Sequence, residues 1–461
     1  MPVATLNDVP PDEAVAYAAR DADATLRIYP KLWDRIVAMG LEGCYRMDMA
    51  VIPVVERMQA TGMAVDVGHF ERLGHELLHH MDVIRGDISV MTGFDINPGS
   101  GDQTAMLLAA LNLFSDRPKM TMGGSRESTN DKVLESLRLA HPVIPLILDW
   151  REMAKLRNSF CLTLPGAVDG DGRIRCNLRI TRVSSGRLSA TGPNLLAIPV
   201  RTPLGRRIRE GFVAPPDCVL GDWDLDQIEM RQLAHESEDP TLCALFNRGE
   251  DIHRQTGAYV FGKNPQDVTT EERYAAKRIG FGVITGITEV GLAEQMALAG
   301  ATGWPEDRCK EVIDEWFGVY PGARSYLEAC RAEARRNGYV RDMWGRIRYL
   351  PGVHSEIPRI REEALRQSHS FKISAGAQGT LKRAMAVIWR DMRALWPEIK
   401  AFRLEPLLQV HDELLFELTD DKFLREYWDA LVVDRLCNTT KYRVPIKAKG
   451  GYAANWGALE H

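Results

Sequence analysis

Two short segments of the chain place acidic residues beside apolar runs, and these are the first candidates for chemistry. Residues 219–229 run from an apolar stretch into Asp224, and residues 407–416 carry Asp412 and Glu413 between two apolar stretches. Buried carboxylates are costly unless a cation compensates them, and oxygen ligands with few histidines nearby favour magnesium over zinc. The pattern indicates a two-metal centre for phosphoryl transfer, or else polar turns between core strands.

A second candidate is a stripe of residues on one predicted helix. Arg273, Lys277, Phe281 and Thr285 follow one another at intervals of four, which places them on a slowly winding helix face. Two cations followed by an aromatic ring can hold a polyphosphate and stack on a sugar or base, and His253 is a further phosphate donor nearby in sequence. The alternative is a surface helix with Phe281 in the core and a structural histidine.

The distribution of arginines bears on nucleic-acid binding more than the total charge does. The chain has 58 Lys plus Arg against 63 Asp plus Glu, a net charge of −5. Binding depends on the local field, however, and arginines concentrate within residues 173–187, 201–209 and 331–348. These clusters indicate a surface that grips phosphates bidentately, or else a solvated surface with salt bridges.

The elements that must position these residues alternate between helices and strands. The pattern predicts a strand before Asp222 and a hairpin from Gly338 to Tyr349. Helical periodicity covers residues 11–40, 49–90, 102–113, 130–160, 240–335 and 356–395, with a break at 61–62 and a short extended piece at 63–66 inside the second range. Strand patterns cover residues 406–418 and 443–452. This order predicts an α+β fold whose sheet is assembled from distant segments.

Composition excludes several classes of protein. The 461 residues are 45% hydrophobic and 26% charged, which is ordinary for a globular chain, and no apolar run reaches the roughly 18 residues of a membrane helix. The eight cysteines are scattered without a Cys-x-x-Cys pair, which argues against a zinc ribbon or a disulfide framework. We therefore expect reduced thiols, a cytoplasmic location and no membrane partner.

The acidic segments and the helix stripe resemble the three polymerase motifs of family A DNA polymerases, the group of bacterial DNA polymerase I. Residues 224–231 resemble motif A, residues 273–286 resemble motif B and residues 410–413 resemble motif C. Seven further stretches match the family in the same order: Ser185–Ser189, Pro193–Leu195, Ile198–Arg201, Gly205–Arg209, Glu250–Arg254, Gly345–Pro351 and Gln378–Thr380. The match covers nearly the whole chain, and the ordered set is far more specific than any single motif.

The resemblance implies a right-hand polymerase with an antiparallel-sheet palm, helical fingers and a helical thumb. It divides the chain into a remnant of an exonuclease domain at 1–40, a helical thumb with its palm-proximal base at 41–165, a first part of the palm at 166–235, fingers at 236–370 and a second part of the palm at 371–461. The implied activity is template-directed addition of deoxynucleotides to a primer 3′-hydroxyl.

The resemblance also assigns the metal ligands. Asp224 and Asp412 would bind two magnesium ions, with the carbonyl of Leu225 as a further ligand, and Glu413 would be an accessory acid near the primer end. One ion would lower the pKa of the 3′-hydroxyl, and the other would neutralise the triphosphate and the leaving pyrophosphate.

Substrate contacts follow from the same resemblance. Arg273, Lys277 and His253 would hold the triphosphate, Phe281 would pack on the incoming sugar and base, and Glu229 would exclude a ribose 2′-hydroxyl. The full nucleotide-binding set is Arg273, Lys277, Phe281, His253, Gln227, Glu229 and Thr285. The DNA-binding set is Arg187, Asn194, Arg201, Arg346, Gln378 and His411.

Some positions depart from the family pattern. Thr285 stands where the bacterial enzymes usually carry Tyr, and the smaller side chain predicts looser control of the nascent base pair. Gly280 replaces a usual Asn. Ser370 and Ser374 stand where the bacterial enzymes have Arg and Asn, and residues 374–377 resemble the bacteriophage members.

The amino-terminal segment suggests how the chain relates to proofreading. Residues 17–23 resemble the last motif of the family's 3′–5′ exonuclease domain, whereas its earlier acidic motifs do not occur in this chain. We expect no proofreading by this polypeptide alone, because a two-metal nuclease needs all its ligands. Three origins stay open: a shortened recombinant form, a naturally truncated enzyme, or a split enzyme in which residues 1–40 dock a separate exonuclease protein.

Three functional hypotheses follow from these patterns. The first is a monomeric DNA polymerase whose partners are primer-template DNA and deoxynucleoside triphosphates. The second is a primer-template binding protein without catalysis, although binding alone does not require Asp224 and Asp412. The third is an RNA-synthesising relative, which Glu229 opposes.

Overall fold

The computed structural model describes residues 9–113, 128–199, 202–298, 300–301, 303–395 and 402–459 of the chain. The amino-terminal part is mainly helical, and its elements are α1 (Pro11–Ala38), α2 (Glu42–Thr61), β1 (Met63–Ala64), α3 (Val67–Thr92), α4 (Gly101–Ala110), α5 (Asp131–Ser136) and α6 (Val143–Leu156). Then follow β2 (Arg173–Ile174), β3 (Asn177–Arg179), β4 (Ser189–Thr191), α7 (Pro203–Glu210), β5 (Cys218–Leu225) and α8 (Ile228–Ser237).

A helical region and the rest of the sheet complete the chain. The helical region comprises α9 (Pro240–Arg248), α10 (Ile252–Phe261), α11 (Thr270–Thr285), α12 (Glu289–Leu298), α13 (Glu306–Val319) and α14 (Pro321–Asn337), followed by the hairpin of β6 (Tyr339–Arg341) and β7 (Ile347–Tyr349). The last elements are α15 (Pro358–Leu395), β8 (Leu404–Val410), β9 (Glu413–Thr419), α16 (Lys422–Asn438) and β10 (Ala448–Ala453).

The largest sheet has four antiparallel strands in the order β10-β5-β9-β8. Side chains alternate between its two faces. Trp223 of β5 points to the face covered by helices, where its indole Nε1 donates to the carboxylate of Asp429 on α16 at 2.8 Å and its ring meets Phe416 edge-on. The neighbours of Trp223 in β5, Asp222 and Asp224, consequently point to the opposite face.

Close packing behind this sheet depends on a small residue in the edge strand. Gly450 of β10 lies opposite Trp223, and a β-carbon there would lie 2.2 Å from the indole nitrogen. Helices α2, α15 and α16 cover this face and bury a continuous apolar core that includes Phe416 and Trp428. The helices therefore cover the face of the sheet that carries Trp223, and Asp222 and Asp224 lie on the opposite face.

Three further apolar clusters occur among the described residues, and two of them are large helical cores. One lies among α8–α14 around Leu245 and Trp316, and the other joins α3, α4, α5 and α6 around Leu108 and Ile144. Fully buried Asp239 stabilises the first core. Its carboxylate caps α9 by accepting a hydrogen bond from the amide of Leu242, and it accepts a second hydrogen bond from the amide of Gly322 at the start of α14.

The α+β prediction is confirmed, but two element boundaries were wrong. The helix predicted over 130–160 is broken between Ser136 and Val143, because Pro142 lacks an amide hydrogen and disfavours helical geometry at His141. The strand predicted over 443–452 begins at Ala448. Pro445 cannot donate a ladder hydrogen bond, and its carbonyl instead accepts from a side chain of α8.

No helix in the described part of the chain is long and apolar enough to cross a membrane.

Candidate active site

The two acidic segments meet where β5 ends and β8 turns into β9. Asp224 lies directly opposite Glu413 in the antiparallel register, and the amide of Leu225 donates to the backbone carbonyl of Asp412 at 3.2 Å. Asp222 lies two residues before Asp224 and shares its face of the sheet. Residues far apart in the sequence thus form one carboxylate cluster at the edge of an open cleft.

The turns that present these acids use left-handed backbone geometry. His411 and Asp412 are the two loop residues between paired Val410 and Glu413, and His411 has φ 52°. A non-glycine residue in this region is strained, and such strain often marks functional turns. Two buried glutamines stabilise the turn, because Gln378 donates to the His411 carbonyl at 3.1 Å and Gln409 donates to the same oxygen.

The strand-to-helix turn after Asp224 has a similar special conformation. Gln227 has φ 52° and immediately precedes α8, whose first turn carries Glu229. A carboxylate in the first turn of a helix is stabilised by the helix dipole. The turn therefore directs Asp224, Gln227 and Glu229 into one cleft.

The electrostatics of the cluster disfavour bare carboxylate charge. Burial raises the pKa of Asp412 to about 7, with further increases from Glu229 and Asp224 and a decrease from Arg187. Burial also raises the pKa of Asp222, helped by the charges of Glu413 and Asp224. Carboxylates held at elevated pKa values so close together gain charge stabilisation when a cation binds them.

A buried cation and an indole lie behind Glu413. The Trp456 Nε1 donates to Glu413 Oε1 at 3.2 Å, and an Arg209 Nη1 lies 4.0 Å from the same oxygen. The Arg209 guanidinium stacks 4.0 Å above the centre of the Trp456 ring and is only 2% exposed. The segment after β10 therefore packs against the sheet beside Glu413 and orients its carboxylate.

The predicted stripe on α11 faces the acidic cluster across the cleft. A capping box between Thr269 and Glu272 starts the helix, and Arg273, Lys277 and Phe281 line the same cleft of about 910 Å³ as Asp224 and Asp412. These residue types suit a chain of phosphates followed by a flat ring.

The histidine expected to assist these cations lies beside them. His253 is buried in α10, and its ring centre lies 5.9 Å from that of Phe281. Burial, followed by the Lys277 charge, lowers the pKa of His253 to about 4. Asp251 caps α10 and accepts the Arg273 Nε at 2.8 Å. Near neutral pH the histidine is therefore an uncharged hydrogen-bond donor. Arg273 forms an ion pair with the Asp251 carboxylate, and an incoming anion can replace that carboxylate.

The end of α11 carries the departure noted at Thr285. This residue is exposed, and its hydroxyl donates back to the Gly282 carbonyl at 2.9 Å. A β-carbon on Gly280 would only make ordinary contact with Met230, at 3.6 Å. The helix therefore ends in a small, exposed polar side chain.

Several residues expected to contact DNA have protein partners. Arg346 pairs with Asp48 at 2.9 Å, and a contact with DNA would have to displace that pair. Gln378 is 1% exposed and lies behind His411, which is itself exposed. Asn194 is exposed before a short 3₁₀ turn, whereas Arg201 lies outside the described residues.

The arginine clusters are only partly a phosphate-binding surface. Arg173 is buried against Glu417 at 2.8 Å, and Arg207 makes a bidentate pair with Glu76 at 2.6 Å. The prediction that whole clusters face phosphates was therefore wrong for these residues and for buried Arg209. Arg187 does line the cleft, where its Nη2 donates to Glu229 Oε1 at 3.0 Å.

The donor set suits a hard divalent cation. Asp224 and Asp412 supply carboxylate oxygens, Leu225 lines the same cleft, and oxygen ligands of this kind suit magnesium. Within the described ranges, no three His, Cys, Asp or Glu side chains converge closely enough to form a complete protein cage. Magnesium is commonly bound through one or two carboxylates together with waters and substrate phosphates, and Asp224 and Asp412 supply such a pair.

Reading the sequence missed four residues around this site. Asp222 was visible as the alternate acid of β5, and Ser374 was noted only as a departure from the family pattern. Arg209 belonged to an arginine cluster and a family-matching stretch that pointed to phosphates instead, and Trp456 carried no local signal, because the importance of both comes from contacts with a distant Glu413.

Comparisons with known proteins show the family to which the chain belongs. The model of DNA polymerase family A matches residues 67–458. DNA polymerase I of Rhizobium leguminosarum is 36% identical over 452 residues, which cover 96% of this chain and 43% of the relative. The thermostable DNA polymerase I of Thermus thermophilus is 35% identical over 404 residues, which cover 87% of this chain and 47% of the relative. The chain thus spans somewhat less than half the length of these curated relatives.

A solved structure resembles the whole described fold. The POL domain of Pol1 from M. smegmatis, in complex with DNA primer-template and dNTP, is 32% identical and superposes with a TM-score of 0.85, covering 95% of this chain and 75% of that chain. Together with the family model, this likeness extends over the sheet, α11 and both acidic segments. The chain therefore belongs to DNA polymerase family A.

Proposed function

We propose that the chain is a template-directed DNA polymerase that adds deoxynucleotides to a primer 3′-hydroxyl by two-metal phosphoryl transfer. The observation that carries this proposal is the convergence of Asp224 and Asp412 in one cleft with the cationic stripe of α11. A cleft that only bound DNA would not require acids whose charge is destabilised by burial.

Asp224, Asp412 and the Leu225 carbonyl would hold two magnesium ions. Bound magnesium supplies charge neutralisation and activates the primer hydroxyl. The elevated pKa of Asp412 supports this assignment, because a nearby cation stabilises the charged carboxylate. Glu413 lies beside them with its orientation set by Trp456, which suits an accessory acid near the primer end.

The residues of α10 and α11 would bind the triphosphate. Arg273 would exchange its contact with Asp251 for phosphate oxygens, and Lys277 and neutral His253 would donate from the same side. Phe281 would pack on the sugar and base, and Gln227 lines the cleft beside them. These groups hold the nucleotide in position for attack, which is the main contribution a protein makes to phosphoryl transfer.

The apolar cores support the proposed domain assignment. Residues 166–235 and 371–461, which contain the central sheet, would be the palm, residues 236–370 the fingers, residues 41–165 the thumb with its palm-proximal base, and residues 1–40 the remnant of an exonuclease domain. The similar solved structure contains DNA primer-template and dNTP, which supports the same partners here. Arg187, Asn194 and His411 are the expected DNA contacts whose described side chains are wholly or partly exposed near the cleft.

Helix α1 supports the proposal that a separate 3′–5′ exonuclease protein docks near residues 1–40. None of its described residues is buried, and its apolar side chains include Val15 at 68% and Leu26 at 71% exposure. A long helix with such a face gains stability by packing against another surface. Absence of proofreading by this polypeptide, a monomeric state and a cytoplasmic location stay predictions.

Extension of a labelled primer tests the proposed activity. The wild-type chain should extend with magnesium and deoxynucleotides, whereas Asp224→Asn and Asp412→Asn should abolish extension but retain DNA binding. Asp217→Asn is a matched control, because Asp217 is exposed at the opposite end of β5 and its left-handed backbone, with φ 60°, tolerates Asn. It should extend like the wild type.

The outcomes separate the three functional hypotheses. DNA binding without magnesium-dependent extension would support the non-catalytic binding protein instead, and efficient extension with ribonucleotides would support an RNA-synthesising enzyme. Binding should also weaken steeply with salt, because protein cations release counterions from DNA phosphates. A flat salt response would contradict the proposed phosphate contacts.

A further inference from the structure

The carboxylate of Glu229 is held from two sides by residues of different elements. Arg187 donates to its Oε1 at 3.0 Å, and the Ser374 hydroxyl donates to the same oxygen at 2.8 Å. Glu229 lies in the first turn of α8, and its side chain is mostly buried, with 18% exposure. The hydroxyl contact therefore ties the first turn of α8 to the middle of the long helix α15.

A close approach of the two helices makes this contact possible. Gly376 lies two residues after Ser374, and a β-carbon there would lie 2.3 Å from Nε2 of Gln232 on α8. Gln232 is fully buried, so a side chain at residue 376 would have to displace the Gln232 amide from between the two helices. At that spacing, the single methylene of a serine is enough to reach Glu229.

The two partners of Glu229 differ in what they contribute. Arg187 neutralises the charge, but it is a long side chain with 35% exposure, and it lies where DNA is expected to bind. Ser374 has one rotatable carbon–carbon bond and sits on a helix packed on several sides. A short side chain on a rigid element fixes a neighbour with little loss of conformational entropy.

We propose that Ser374 is a positioning residue that holds Glu229 against the sugar of the incoming nucleotide and so sets the discrimination between deoxyribose and ribose. The inference rests on the proposed polymerase function and on the proposed exclusion of the 2′-hydroxyl by Glu229. A carboxylate excludes a hydroxyl group only while it stays in one position. When Ser374 is lost, Glu229 can rotate towards Arg187 and open space for the extra oxygen.

Sugar discrimination by serine variants tests the proposal. The measured quantity is the kcat/KM for a deoxynucleotide divided by that for the matching ribonucleotide, in single-nucleotide primer extension. Ser374→Ala should lower this ratio about tenfold, the lower end for a hydrogen bond to a charged group, because Arg187 still holds the same oxygen. Ser374→Thr keeps the hydroxyl and should restore most of the ratio. Ser370→Ala, one turn earlier on α15, is the matched control.

A double-variant cycle shows whether Ser374 acts through Glu229. Glu229→Ala alone should lower the ratio more than Ser374→Ala, and adding Ser374→Ala to it should change nothing further, because the positioned group is already gone. An additional loss in the double variant would overturn the proposal, as would an unchanged ratio for Ser374→Ala in an enzyme that discriminates. Thermal unfolding of each variant identifies loss of structure, which would lower both kcat/KM values together.

Failure of the inference is distinct from failure of the underlying function. If the wild-type chain extends no primer, the proposed polymerase activity is wrong. If the chain extends but Glu229→Ala leaves the ratio unchanged, the role of Glu229 is wrong and the role inferred for Ser374 falls with it. If Glu229→Ala lowers the ratio and Ser374→Ala does not, only the inference about Ser374 is wrong.

Discussion

Replacement of Arg209 by Met should reveal how strongly the buried cation supports the carboxylate cluster. The variant loses the cation–π contact between Arg209 and Trp456, and such a contact contributes about 2 kcal/mol at a desolvated site. It also loses the 4.0 Å pair with Glu413, and breaking one partner of a buried pair costs about 3–5 kcal/mol.

Part of that cost is offset by the poor hydrogen bonding of the guanidinium. None of the three side-chain nitrogens of Arg209 makes a hydrogen bond to any residue the structure describes, so its removal also relieves a desolvation cost of about 1–3 kcal/mol. Glu413 keeps its bond from Trp456, and Met fills similar volume. The two losses minus this relief leave about 2–6 kcal/mol, and the retained Trp456 bond and similar volume place the expected loss in the free energy of unfolding near the lower end, at about 2–3 kcal/mol.

Urea unfolding of a variant set measures this effect. Arg206→Met on the same helix is exposed and should stay within about 0.5 kcal/mol of the wild type. Glu413→Gln in the Arg209→Met background should cost less than in the wild type, giving a coupling energy of about 1–2 kcal/mol. A loss below about 0.5 kcal/mol for Arg209→Met, or strictly additive effects, would refute this reasoning.

Three other perturbations have defined outcomes. Burial, followed by the Arg331 charge, lowers the pKa of His369 from 6.5 to about 4, so between these pH values the unfolded chain binds a proton that the folded chain does not. The free energy of unfolding should therefore fall as the pH decreases from about 6.5 to 4, by about 2 kcal/mol at pH 5. In urea unfolding, the free energy that His369→Gln loses relative to the wild type should be smaller at pH 5 than at pH 7. Thr285→Tyr should lower the misinsertion frequency in primer extension, and an unchanged frequency would remove the role predicted for the small side chain. Gly376→Ala should destabilise the chain by about 1–3 kcal/mol, since the added carbon meets buried Gln232 at 2.3 Å, and an unaltered urea midpoint would show that the two helices separate freely.

The sequence determined which face of its strand carries Asp224 and how the cationic stripe is aligned, because both are local patterns with a fixed period. Alternation along β5 puts Asp224 on one face, and spacing of four along α11 lines up Arg273 and Phe281, whatever packs around them. The helix break at Pro142 is equally local, but the apolar periodicity on both sides of it masks the effect of the proline.

Only the tertiary structure decided which groups support these residues. Gln378 supports the turn at His411 from a buried position, Arg346 is engaged by Asp48, and Ser374 reaches Glu229. None of these pairs has a repeating spacing, since each joins faces of elements whose approach depends on small residues such as Gly376. Sequence periodicity reports which side of an element is buried, whereas the distance between two buried sides is set by the packing of the whole core.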